Sequence, residues 1–210
     1  MKKILSIIIL LLIFSYTMYS QTIDRNKEFT TLSEALQNPE NVYRLNLKNQ
    51  KIKLSKGDWL KFINLEYINL KNDHLKEIPI EITKLKSLKQ IDLSGNDFIQ
   101  LPEEFSNLTN LEEIYLNEEK RMDLPKTLKI LAKLPNLKSI HLENDNLSSL
   151  PVEMLLFKNL EFLYLNQNKF IEIPRLEPLN HLKFLDLSNN KIKPEIQEVQ
   201  NINFGFKINF

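Results

Sequence analysis

A 23-residue unit recurs along this chain, and it limits the fold more than any other feature. In the stretch from Leu88 to Asn110, the key residues are Leu88, Ile91, Leu93, Asn96 and Phe98, spelling L-x-x-L-x-L-x-x-N-x-L. Further copies begin at Val42, Leu65, Leu111, Leu137, Leu160 and Leu182. The steps between successive starts are 23, 23, 23, 26, 23 and 22 residues. One such unit cannot bury its own leucines. Stacking the units does, so the chain should build a solenoid in which each repeat touches its neighbours.

Each unit changes period half-way. The first half alternates apolar and polar residues, which predicts a strand. An apolar residue and proline follow, as in Ile78-Pro79, Leu101-Pro102, Leu124-Pro125, Leu150-Pro151 and Ile173-Pro174. Apolar residues then recur every three, as in Phe105, Leu108 and Leu111. That spacing predicts a 3₁₀ or irregular helical turn, started by a proline whose fixed φ suits it. Seven strands in parallel would span roughly 30 Å at ~4.8 Å each.

The residues from about 42 to 194 resemble the leucine-rich-repeat family. The 23-residue unit with Leu-Pro after the strand looks most like the class of Ras-binding-type proteins and their bacterial relatives. The resemblance implies an α/β solenoid shaped as a horseshoe. Its concave side carries a parallel sheet and its convex side short helices or 3₁₀ turns. It also implies protein binding through the concave face, without saying which protein.

The flanks are read separately. Lys2, Lys3 and the apolar run Ile4–Phe14 form a secretion signal over residues 1–20, cut near Ser20 and Gln21. The run is short of the ~20 residues a membrane span needs, so no stable span is expected after cleavage. Removing the two lysines turns 28 basic against 27 acidic residues into 26 against 27. A net charge of about minus one excludes a general nucleic-acid binder, which shows a basic excess. There is no cysteine, so neither a disulfide nor a lipid-modified cysteine is available. Residues 21–41 are expected to cap the first repeat with a short helix after Thr31-Leu32-Ser33-Glu34, a capping box. Repeats fill 42–198. The alternating tail, 199–210, is expected to close the far end as one or two strands.

Two irregularities stand out. The fourth repeat has Glu119 and Arg121 where others have asparagine and a core residue, and three extra residues after Leu124-Pro125. They predict a longer helix; Glu118 to Arg121 read either as a charged edge patch or, preferably, as a tolerated local kink with Met122 filling the hole. At the asparagine position, Asn96, Asn168 and Asn190 both donate and accept. Asp73 and Asp145, if ionised, only accept, and their rungs should be weaker.

No catalytic constellation is present. The histidines, His74, His141 and His181, stand in no metal spacing, and there is no glycine-rich phosphate loop. The chain reads as a binding module rather than an enzyme, with no cofactor. Its informative residues are the outward positions of the strands. From the fourth repeat onward these gather Tyr115, His141 and Tyr164 in one column, with Phe162 and Phe184 in the next. Clustered rings on one face are the usual mark of a binding hot spot. The expected function is an exported protein, periplasmic, cell-surface or extracellular, that binds a protein or peptide. A glycan or envelope component, stacked on the rings, is the alternative.

Overall fold

The computed structural model describes residues 23–52, 54–193 and 205–210. The expected signal segment lies outside them, as do Val199, Ile202 and Phe204 of the tail. Among the described residues nine parallel strands form one sheet in strictly sequential order. They are β1 (Glu28–Phe29), β2 (Arg44–Asn46), β3 (Tyr67–Asn69), β4 (Gln90–Asp92), β5 (Glu113–Tyr115), β6 (Ser139–His141), β7 (Phe162–Tyr164), β8 (Phe184–Asp186) and β9 (Lys207–Asn209). The seven repeat strands are where the period-two pattern puts them. Leu45, Ile68, Ile91, Ile114, Ile140, Leu163 and Leu185 stand side by side in register. All seven are fully buried. Each apolar side chain so placed contributes about 1.5–3 kcal/mol by leaving water.

The first end differs from expectation, while the tail closes the far end with a strand as expected. Helix α1 (Leu32–Ala35) forms, with the Thr31 hydroxyl accepting from the Glu34 amide. It does not close the edge alone, because β1 adds a strand to β2. At the other end β9 pairs with β8. Sheet edges are templates for unwanted pairing, and these two are kept short and polar, with Glu28, Lys207 and Asn209 on them.

The convex side follows the prolines. Pro79, Pro102 and Pro151 each precede a 3₁₀ turn, Ile80–Lys84, Glu103–Asn107 and Val152–Leu156. A second short helix, α2 (Lys56–Trp59), buries Trp59 as core. The fourth repeat's insertion makes α3 (Leu124–Leu131), capped by Asp123 accepting from the Lys126 amide. Among the described residues no helix is long and apolar enough to cross a membrane.

Three columns of polar residues lock neighbouring units. Just beyond each strand, Asn49, Asn72, Gly95, Glu118, Asn144, Gln167 and Asn189 all adopt positive φ, between 57° and 67°. Asparagine and glycine tolerate that conformation best, which explains their frequency there. One residue later runs the buried ladder. Asn96 Nδ2 donates to the carbonyls of Leu70 and Leu93, and Asn168 Nδ2 to those of Leu142 and Leu165. Each rung also accepts from the preceding unit's amide: Asp73 N to Asn96, Asn96 N to Glu119, Glu119 N to Asp145, Asp145 N to Asn168. Glu119 is therefore a buried rung and not part of a charged edge patch. Its backbone position in the repeat, not its charge, decides where it goes. The third column alternates in charge: Glu66, Lys89, Glu112, Lys138, Glu161, Lys183. Lys89–Glu66, Lys138–Glu112 and Lys183–Glu161 pair at 3.0, 3.4 and 2.6 Å.

Candidate binding face

Strand alternation decides which side chains reach the concave face. In each strand the central apolar residue enters the core, and its two neighbours face the other way. Register then aligns them across strands. Tyr115 pairs with His141, and His141 with Tyr164; in the adjacent column Ser139 pairs with Phe162, and Phe162 with Phe184.

Four of the five rings, all but Phe162, form one continuous stack. Tyr115 and His141 have centroids 3.8 Å apart at 16°, and His141 and Tyr164 4.1 Å apart at 7°. Tyr164 and Phe184 follow at 5.6 Å, tilted by 57°. The stack is less open than the sequence suggests. Phe162, Phe184 and the two tyrosines are half-buried, and His141 is only 7% exposed. Curvature brings neighbouring strands' side chains together on the inner side, and the imidazole is enclosed between two phenol rings. Asn69 and Ser94, at outward positions of the third and fourth strands' repeats, are buried as well.

Two carboxylates hold the imidazole. His141 Nε2 lies 2.9 Å from Glu113 Oε1, and Nδ1 lies 3.2 Å from Glu143 Oε1. Only a doubly protonated ring donates to both. Burial works to lower its pKa, but the hydrogen bonds and charges of Glu113 and Glu143 outweigh it, and the net shift is upward. Glu113 moves the opposite way, held down by its bond to His141. Its Oε1 also accepts from the Tyr115 hydroxyl. These two glutamates were not singled out with the rings. Their places two positions from a ring, on the same face, were the available signal.

The column that carries the rings has another use elsewhere. Asn46, Asn69, Asp92 and Asp186 each accept, through Oδ1, a hydrogen bond from the amide two residues on. This local clip fixes the end of the strand. Tyr115, His141 and Tyr164 have no such acceptor group to offer. The three repeats that give up the clip are the three that carry a ring in this column. Among the described residues no cluster of three His, Cys, Asp or Glu side chains fits a metal ion.

A sequence profile of the leucine-rich repeat region matches residues 41–148, and a second, of two leucine-rich repeat copies, matches 158–201. The first alone covers more than half of the 210 residues.

The chain belongs to the leucine-rich-repeat family.

Members of this family are, in general, interaction modules. No curated protein matches the chain as a relative. Among solved structures, a leucine-rich-repeat protein of Leptospira interrogans is 32% identical with a TM-score of 0.64, over 83% of this chain and 50% of its own. This leucine-rich-repeat chain thus spans half the length of that relative. A chain of the Toll–Spatzle complex of Drosophila is 26% identical, with a TM-score of 0.56, over 74% of this chain and 21% of its own. Human trophoblast glycoprotein, at 24% identity and a TM-score of 0.66, covers 81% of this chain and 69% of its own, and shares the fold.

Proposed function

We propose that this leucine-rich-repeat protein is exported and binds a protein or peptide partner on its concave face, at Tyr115, His141, Phe162, Tyr164 and Phe184. The observation that carries the reading is the exchange in the ring column. Repeats four to six replace a backbone-clipping Asn or Asp by Tyr115, His141 and Tyr164, so the rings there do not serve the strand ends. Large, stiff rings bring apolar area to an interface at low entropic cost. The family's habit of binding proteins supports the class of partner, and the Toll–Spatzle neighbour is itself part of a protein complex. Export rests on Lys2, Lys3 and the Ile4–Phe14 run. The protein acts by binding and not by catalysis.

A photo-crosslinking residue at position 164, with a control at position 152, tests it in the native envelope. Val152 is 73% exposed on a convex 3₁₀ turn. The reading expects a discrete, protease-sensitive adduct from 164 and not from 152. Equal adducts from both sites overturn it. A protease-resistant, glycosidase-sensitive adduct from 164 alone favours the glycan alternative, in which the rings stack on sugars.

A further inference from the structure

The outward positions of the concave face are polar in an ordered way. In the first two repeats they include Arg44, Lys48 and Lys71 and no carboxylate. In repeats four to seven they include Glu113, Glu143 and Asp186 and no lysine or arginine. The acidic half is also the half with the rings.

Several groups there have capacity left over. The Tyr164 hydroxyl makes no hydrogen bond to the described residues, and its ring is half-buried beside Glu113, Glu143 and Asp186. Burial and those three charges raise its pKa, so it stays a neutral phenol. Asp186 uses Oδ1 on the Ser188 amide and on Asn209 Nδ2, while its Oδ2 accepts no hydrogen bond among the described residues. A carboxylate beside exposed ring edges is a setting in which a cation gains from both, even with His141 and Lys207 offsetting part of the charge. The fold already uses this chemistry at either end of the face. The Arg44 guanidinium lies 4.1 Å over the Tyr67 ring, and Lys207 Nζ lies 6.0 Å from the Phe184 ring.

We propose that the partner presents a lysine or arginine side chain to this half of the face, its cation laid on the Tyr164 and Phe184 rings and paired with Asp186. This rests on the concave-face reading and specifies its partner: an extended, basic segment of a protein. Lys48 and Lys71, at the other end, set its direction by repelling that cation. Nine strands at ~4.8 Å spacing make a face of roughly 38 Å, which an extended chain of about 12 residues spans at ~3.3 Å each.

The experiment is selection of displayed random peptides of that length on the full chain, followed by anisotropy titrations with the selected peptides. Selected sequences are expected to share a lysine or arginine. Replacing an arginine by uncharged citrulline should weaken binding at least about tenfold. Asp186→Asn, which keeps the acceptor for the Ser188 amide, should weaken binding severalfold. Tyr164→Ala should abolish it, and Val152→Ala, on the convex side, should leave it unchanged. If Tyr164→Ala lowers the melting midpoint, Phe184→Leu replaces it, keeping apolar volume without the ring face. Peptides lost on Tyr164→Ala but indifferent to citrulline and to Asp186→Asn overturn the cation inference alone, as does enrichment of acidic peptides. Peptides indifferent to Tyr164→Ala, or no binders at all, overturn the concave-face reading with it.

Discussion

The His141 imidazole lies 4.1 Å from the Tyr164 ring and within 7° of parallel to it, while both its nitrogens face glutamate oxygens. A buried cation sandwiched between phenol rings and pinned by Glu113 and Glu143 links the stability of the face to pH. Its folded pKa is raised above that of the unfolded chain. The stabilisation is therefore complete below the unfolded value, near 6.5, and is lost as pH rises through the folded value. His141→Phe keeps the stack and removes the cation. The gap in unfolding free energy between wild type and His141→Phe should be about 1–3 kcal/mol at pH 6 and should shrink above neutrality. Denaturant titrations at several pH values measure it.

Glu119 and Asp145 occupy successive rungs of the buried ladder, and burial raises them to about 8 and about 7. Asp97, Glu118 and Glu143 add to the effect, as does Asp145 on Glu119. Raised acids favour the protonated fold. The stability these two groups contribute is thus fully present below about pH 4 and is lost as pH climbs from there through 8. Asp145 Oδ2 is buried without a partner among the described residues, at the place where Asn96 and Asn168 carry a donating amide. Asp145→Asn should therefore supply donors to the Leu116 and Leu142 carbonyls. It should stabilise the chain by about 1–3 kcal/mol at pH 8 and by much less at pH 4, as read from melting curves.

Glu118 stands at φ 65°, where four equivalent positions have asparagine. It also repels Glu119 and Asp145. Glu118→Asn relieves both, and the exposed pair it loses with Lys71 contributes little. A rise in stability of about 0.5–1 kcal/mol is expected by chemical denaturation. A fall would show that the Lys71 pair outweighs the strain.

Leu116 is fully buried in the middle of the stack of units. Leu116→Ala should cost about 2–5 kcal/mol, from lost burial and the cavity left behind. Calorimetry measures it, and an unchanged melting midpoint would contradict the packing of repeats four and five.

N-terminal sequencing of the native protein should begin near Gln21. Intact Met1 in a membrane fraction would instead make the first segment an anchor.

How much of this was readable in advance follows from range. Seven strands, their register, the 3₁₀ turns after Pro79, Pro102 and Pro151, and the lengthened α3 all follow from spacing within one unit. The ring column was readable for the same reason, since alternation fixes which side chains share a face. β1 was missed because its two residues carry no alternation, and its pairing with β2 is made by tertiary contact. The enclosure of His141 depends on curvature, a property of the whole stack that no single repeat encodes. Glu119 looked like surface because it is charged, yet a ladder position accepts any side chain whose oxygen reaches the next amide.

The alternating column from Glu66 to Lys183 has a bearing on how such a chain can change length. Excising one unit, that of Lys89 for instance, would set Glu66 beside Glu112 and turn an attractive contact into a repulsive one. Excising two restores opposite neighbours at the new junction. Each contact is small, about 0.2–1 kcal/mol for an exposed pair. The sign pattern nonetheless carries a parity, so that the natural module for duplication or deletion in this stretch is two repeats, about 46 residues, rather than one.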